Sequence, residues 1–306
     1  MKIGGHKIDI SHEDKIFFPK AKITKSEVVD YFRRVVKVML PHVRGRPLAM
    51  RRYPDGIKGE GFFQKEVPDY FPRWIKRVTT PRKEGGKVDN VVCDNAATLV
   101  YLANQACFTP HVWLSRRDKL DCPDQLIFDL DPPGKKFALV RFTAKALRDL
   151  FDELGLCAFV KTTGSRGLHV IVPLDRKQDF DTARKFARDI AQVLAHRHRK
   201  RLTVEPRKNK RRGRLYLDTA RNSYAQHAVA PYAVRAIEGA PIATPLSWDE
   251  LADKKLTAQS FNMKNIFQRL SRKSDPWKNL RRSVRSFNAA RKRLDAIVKK
   301  ELKNKR

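Results

Sequence analysis

Apolar residues recur at helical spacing in several stretches of the chain. Val28, Val29, Phe32, Val35, Val36 and Met39 fall on one face of a helix. Thr24-Lys25-Ser26-Glu27 reads as a capping box that opens this helix, which the spacing carries to about Leu40, with Pro41 as its stop. Residues 95–106 also read as helical. A further helix spans 143–154 and ends at Gly155, a C-cap signal. Phe180, Ala183, Phe186, Ala187, Ile190, Val193 and Leu194 mark another amphipathic helix. Ser247-Trp248-Asp249-Glu250 is a second capping box.

Shorter apolar runs predict strands at 47–53, 108–114, 125–130, 158–161, 168–172, 202–204 and 214–217. Pro54-Asp55-Gly56 reads as a turn and residues 79–89 as a polar loop. No internal repeat is visible. Strands mixed with helices in this way predict an α/β or α+β fold.

Charge sharpens the picture. The 306 residues carry 66 Lys plus Arg against 33 Asp plus Glu, a net +33, which calls for a polyanionic partner. Nucleic acid, anionic membrane and acidic protein all qualify. No run of about 18 apolar residues occurs, and the start Met1-Lys2-Ile3-Gly4-Gly5-His6 lacks the apolar stretch of a secretory signal, so membrane is the weaker candidate. Cys93, Cys107, Cys122 and Cys157 form no C-x-x-C pair, the pattern of reduced thiols in a cytoplasmic protein. Residues 197–214 hold ten Lys/Arg and one acid, and residues 262–306 hold sixteen and three. The second stretch reads as a basic, helical C-terminal extension (263–306) after a main domain (1–262).

The segment Phe128-Asp129-Leu130-Asp131-Pro132-Pro133 closes an apolar run. Asp129 and Asp131, two apart on a strand, point to the same face. Two such carboxylates repel unless a cation neutralises them, and hard oxygen ligands suit a divalent ion. The alternative is an exposed acidic turn. A second run, Leu215-Tyr216-Leu217, also ends in an acid, Asp218. Three carboxylates at strand ends suit two metal ions about 4 Å apart. Between them lies Lys161-Thr162-Thr163-Gly164-Ser165-Arg166-Gly167-Leu168-His169. Its glycines admit a close ligand, and Ser165, Arg166 and His169 are donors for phosphate. A plain hairpin is the other reading of such a turn. No G-x-x-x-x-G-K-[ST] loop occurs.

F-D-L-D-P, T-T-G-S-R-G-L-H-V and Ala230-Pro231-Tyr232-Ala233-Val234-Arg235 stand in the order and spacing of the polymerase domains of bacterial DNA ligase D. The chain resembles that family, a branch of the archaeo-eukaryotic primase superfamily, from about Ile10 to about Leu251. The resemblance implies a primase-like core with mixed and antiparallel sheets flanked by helices. It implies a template-dependent nucleotidyltransferase that fills gaps and extends 3′ ends in end joining. By the same resemblance Asp129, Asp131 and Asp218 fall on the metal-binding, catalytic aspartates. Ser165, Arg166, Gly167 and His169 fall on the triphosphate turn, and Arg51, His111 and Arg235 on other nucleotide-binding positions. Phe62, Phe63 and Lys65 fall on DNA-side positions, and Lys15 and Lys25 on a pocket for a 5′-phosphate.

The residues alone leave alternatives: Phe62 and Phe63 as core, the two lysines as surface residues, His111 as a buried, satisfied histidine, and Arg235 as an ion-pair partner. The resemblance further implies manganese, with magnesium weaker, and ribonucleotides over deoxynucleotides. It implies DNA with a gap or 3′ overhang as substrate, a Ku-type end binder, an ATP-dependent ligase and a cytoplasmic, nucleoid-associated location. Two departures stand out. Arg221 occupies a position where some relatives carry Gln, and no K-x-D-G adenylation motif occurs, so sealing falls to another protein or to a part outside this chain. A stand-alone primase and a non-catalytic nucleic-acid binder are the rival readings.

Overall fold

The computed structural model describes residues 1–81, 85–134 and 137–303. They form two compact units. The first unit comprises Met1–Asp118, His227–Thr244 and Phe261–Arg272, and the second comprises Lys119–Gln226, Pro245–Ser260 and the chain from Lys273 onward.

In chain order the first unit begins with β1 (Lys2–Ile3), β2 (His6–Lys7), β3 (Ile16–Phe18), β4 (Ile23–Thr24) and α1 (Lys25–Val43). It continues with β5 (Leu48–Arg52), β6 (Phe62–Gln64), β7 (Arg77–Pro81), β8 (Lys87–Val91), α2 (Ala96–Asn104) and β9 (His111–Trp113). The second unit holds β10 (Gln125–Leu130), α3 (Phe137–Glu153), β11 (Phe159–Thr162), β12 (Leu168–Pro173), α4 (Phe180–Arg197), β13 (Leu202–Thr203) and β14 (Leu215–Asp218). β15 (His227–Val229) and α5 (Ile266–Arg272) return to the first unit, while β16 (Pro245–Leu246) and α6 (Phe287–Val298) belong to the second.

The first unit is built on a four-stranded sheet, β15-β9-β5-β6, antiparallel throughout. α1 buries Val28, Val29, Phe32, Val35 and Met39 of the expected stripe, leaves Val36 partly buried, and adds Tyr31, whose hydroxyl donates to the Tyr232 carbonyl at 2.7 Å. The Thr24–Glu27 capping box is formed. Pro41, expected to stop the helix, lies inside it. The Arg44 N–H closes the last turn on the Leu40 carbonyl, and buried Val43 anchors the end. A proline this near the C-terminus forfeits one donor without unwinding the turn.

The stretch 79–89, expected as a loop, belongs to the β7–β8 hairpin, apart from residues 82–84, which lie outside the described residues. Its polar residues stitch the strands. Thr79 donates to Asp89 at 2.6 Å, and the buried Asn90 donates to Thr80 at 2.8 Å. These cross-strand bonds replace the apolar alternation that would have announced a strand.

The second unit is a six-stranded mixed sheet in the order β13-β14-β10-β12-β11-β16, in which only the β13–β14 pairing is parallel. Phe128 is fully buried and meets Phe151 of α3 edge-on at 5.5 Å. α3 therefore covers the sheet face that carries Phe128, and the neighbouring Asp129 points to the other face. α3 begins earlier than its pattern suggested, because Val140 is buried in its first turns. Gly155, at φ 70°, follows its end. The C-terminal segment is integral to this unit. Trp277 donates to the Val160 carbonyl at 3.1 Å, and Phe287 of α6 packs on Phe186 of α4 at 4.8 Å.

Candidate active site

Register explains how the second unit assembles its charged groups. Across β11, β12, β10 and β14, Lys161 stands opposite His169, His169 opposite Asp129, and Asp129 opposite Asp218. Directly opposed residues of antiparallel strands share a face, so the four side chains form one row across the sheet. Asp131 follows directly on the end of β10, close enough for the charges of Asp129 and Asp218 to act on it.

His169 Nε2 lies 3.5 Å from Asp129 Oδ1, and Arg221 Nε lies 3.8 Å from Asp129 Oδ2. Burial pushes the Asp129 carboxyl up, but His169, Arg221 and Lys161 outweigh it and hold the group below the ordinary carboxylate range. Burial, reinforced by the Lys161 charge, brings His169 down to about 4. The imidazole is thus neutral near pH 7. With its proton on Nε2 facing Asp129, Nδ1 is a buried acceptor without a hydrogen-bond partner. Asp131 is raised, first by burial and then by the Asp129 charge, with Asp218 adding to it and Arg166 opposing. Arg166 Nη2 meets Asp131 Oδ2 at 2.7 Å.

The turn between β11 and β12 is fixed by its own backbone. Thr163 Oγ1 accepts from the N–H groups of Ser165 (3.3 Å) and Gly167 (3.1 Å). Gly164 takes φ 64°, the left-handed region that glycine adopts without strain. A Cβ on Gly167 would lie 2.0 Å from the Leu130 carbonyl oxygen, so only glycine lets this turn approach the end of β10. Gln259 Nε2 donates to the Ser165 carbonyl at 2.8 Å. The turn and the aspartates are thereby brought together.

Three residues of this site were not assigned a role from the sequence. Lys161, 1% exposed, supplies buried positive charge to the row; its signal was a lysine closing an apolar strand beside a glycine turn. Asn222 is buried and exchanges two hydrogen bonds with the backbone of Ile127, at 2.9 and 2.8 Å. It ties the turn carrying Asp218 and Arg221 to β10, and nothing in the sequence distinguished it from a loop asparagine. Gln259 is distant in sequence and equally unmarked.

The carboxylates pass a chemical test for hard divalent cations. They are oxygen donors, and Asp131 feels both of the others as like charges. Among the described residues no group of three or more His, Cys, Asp and Glu is drawn together closely enough to form a complete ligand set. Arg166 and Arg221 balance the carboxylate charge instead.

In the first unit β5, β6, β9 and β15 gather a second group. The Arg51 guanidinium lies 5.3 Å from the Phe63 ring centre, and Phe63 contacts His111 (5.2 Å) and His227 (5.3 Å). His111 Nδ1 lies 3.0 Å from the Thr109 carbonyl oxygen. Burial raises the Tyr53 phenol, while the charges of Arg51 and Arg235 oppose it, and the Arg51 guanidinium lies 5.4 Å from the Tyr53 ring centre. His227 is a further residue that sequence reasoning missed, although it pairs with β9 beside His111. Phe62 and Phe63 are 45% and 47% exposed, which excludes the core alternative. Successive strand residues alternate faces, so Phe62 departs from Phe63 and lies instead near Arg52, at 5.9 Å. Lys65 is exposed just beyond β6.

Elsewhere in this unit the β3–β4 hairpin brings Lys15 and Lys25 together, with the Lys25 N–H donating to the Lys15 carbonyl at 2.8 Å. Lys25 is 6% exposed, and burial together with the Lys15 charge lowers its ammonium pKa. Lys15 pairs with Asp55 at 2.7 Å. All four cysteines are free, and no described helix is long and apolar enough to cross a membrane.

Comparison with known proteins gives this geometry a context. The family described as LigD, primase-polymerase domain, matches residues 24–277. The chain is 32% identical over 278 residues to the multifunctional non-homologous end joining DNA repair protein LigD of Mycobacterium tuberculosis, covering 88% of this chain and 36% of that protein. It is 30% identical over 277 residues to the bifunctional non-homologous end joining protein LigD of Bacillus subtilis, covering 89% of this chain and 44% of that protein. The solved polymerase domain from Mycobacterium tuberculosis ligase D in complex with DNA superposes with a TM-score of 0.85 at 31% identity, over 90% of this chain and 98% of that one. The chain spans less than half the length of either full-length relative.

Fold and likeness define a nucleotidyltransferase of the primase-polymerase class. The chain belongs to the LigD primase-polymerase domain family, whose chemistry is metal-dependent nucleotidyl transfer.

Proposed function

We propose that this chain fills gaps and extends 3′ ends at broken DNA, adding nucleotides directed by a template. The row Asp129–Asp218 with Asp131 directly after β10, beside a glycine-serine-arginine turn, is the observation that carries the reading. Asp129, Asp131 and Asp218 would hold two divalent cations, manganese in preference to magnesium. Bound there, the cations supply Lewis acidity to the α-phosphate and lower the pKa of the attacking 3′-hydroxyl.

The chain's own residues supply the rest. Arg166 sits on an ion pair with Asp131 and is free to exchange that carboxylate for an anionic triphosphate. The Ser165 hydroxyl offers the same anion a further donor, on a turn whose shape the Ser165 and Gly167 N–H groups hold through Thr163. Neutral His169 presents Nε2–H to Asp129 and orients the carboxylate without competing for it as a cation. Arg51, His111 and Arg235 contact the incoming nucleotide, a ribonucleotide in preference to a deoxynucleotide. Phe62 and Phe63, exposed beside cations, stack on bases, and Lys65 takes a DNA phosphate. Lys25 is held by Ser11 and its ammonium is destabilised by burial and then by the Lys15 charge, which a 5′-phosphate would offset. A Ku-type end binder and an ATP-dependent ligase complete the repair reaction.

Primer extension on a gapped duplex, with and without a 5′-phosphate at the downstream end, tests the assignment to gaps. Enhancement by the phosphate, lost in Lys15→Ala/Lys25→Ala, is the expected result. Extension indifferent to the phosphate would move the chain to the initiation of new strands.

A further inference from the structure

The second unit carries a groove of about 630 Å³ lined by Phe137, Leu139, Arg141, Phe142, Arg201 and Lys254 among others. α3 supplies its wall, on the sheet face opposite the carboxylate row, so the groove shares none of the residues assigned above. Its walls are fixed. Arg141 Nη1 donates to the carbonyls of Asp253 (3.0 Å) and Lys254 (2.8 Å), which pins the 253–256 turn to α3. Half-buried Phe142 has the Arg201 guanidinium 4.6 Å from its ring centre and His198 edge-on at 5.1 Å. The groove continues along Arg199 and Lys200.

The sign of the local potential follows from these groups. Glu153, on the same helix, is taken up by Arg197 at 2.8 Å. Burial, then the charges of Arg197 and Arg201, depress the His198 imidazole. The surface is therefore cationic, carries two aromatic rings, Phe137 and Phe142, and is built on α3. A duplex offers a phosphate ridge but no free base face. An unpaired strand offers both, and a cationic track with aromatic platforms is the chemistry that holds one.

We infer that this groove binds a single strand of nucleic acid, with phosphates on Lys200, Arg201 and Lys254 and one base stacked on Phe142. It is a second anchoring site for an overhang, separate from the site of nucleotide addition. Its usefulness in end joining rests on the polymerase reading, but the binding does not.

The test uses the full chain and a fluorescent oligothymidine of about 12 nucleotides, a length within the usual site sizes. Anisotropy is followed across a salt series. Arg201→Glu/Lys254→Glu is expected to weaken binding at least about tenfold and to flatten the log–log salt slope by at least about 1.4, two lost phosphate contacts at roughly 0.7 each. Phe142→Leu keeps the packing volume and is expected to weaken binding several-fold with the slope unchanged. The His198 titration, read by NMR, should move to higher pH when the oligonucleotide binds. Wild-type affinity and slope in the charge-reversal variant would overturn the proposal. So would a parallel loss of filling at a one-nucleotide gap without overhang, because the groove would then not be separate. Absence of gap filling in the unmodified chain, with the binding changes intact, would instead contradict the polymerase reading alone.

Discussion

Asp129 remains ionised in an almost closed setting because its neighbours, not solvent, stabilise the charge. His169, Arg221 and Lys161 surround it, and each arrives by strand register or by the turn that Asn222 fastens. The pair Asp129 and Asp131, with Asp218 as third member, was legible because acids that close apolar strands are conspicuous in a basic chain. Lys161 and Asn222 were not legible: their roles depend on which strands become neighbours, which no local pattern states. Two expectations belong at this scale. Gly167→Ala forces a Cβ against the Leu130 carbonyl, so it should distort the turn, lower nucleotide addition by at least about tenfold and reduce thermal stability in a melting curve.

The second concerns pH. The folded protein lowers His169 to about 4, below its ordinary 6.5, so the unfolded chain binds the extra proton between those values. Stability from this group is therefore full above pH 6.5 and falls as pH drops toward 4. The raised Asp131 carboxyl acts with opposite sign above the ordinary carboxylate range, so the comparison must be with a variant. Urea midpoints of His169→Gln should decline less than those of the unmodified chain over that window.

At the scale of elements, periodicity found the buried helices because each has one apolar face. It failed for the β7–β8 hairpin, where Thr79, Thr80, Asp89 and Asn90 use side-chain hydrogen bonds in place of apolar contacts. It also misjudged Pro41, since a proline within the last turn removes little. The Thr24 cap offers a simple check: Thr24→Ala should cost about 1 kcal/mol in denaturant unfolding. A larger loss is expected from Leu294→Ala, at about 2–5 kcal/mol, because this fully buried leucine holds α6 in the second unit. A negligible loss would show that α6 is a loose tail.

For the whole molecule, the excess of 33 positive charges fits a partner made of phosphates. DNA binding that displaces about six counterions gives a log–log salt slope near −5, measurable by anisotropy on a gapped duplex, and a flat response would refute electrostatic capture. Charge explains attraction but not chemistry, which we assign to the three carboxylates Asp129, Asp131 and Asp218. Nucleotide addition by Asp129→Asn and Asp218→Asn on a gapped duplex, alongside DNA binding by the same proteins, tests that claim most directly. The expected result is loss of addition by at least about a thousandfold with DNA affinity retained. Addition at the unmodified rate in either variant would contradict the assignment of these carboxylates to catalysis.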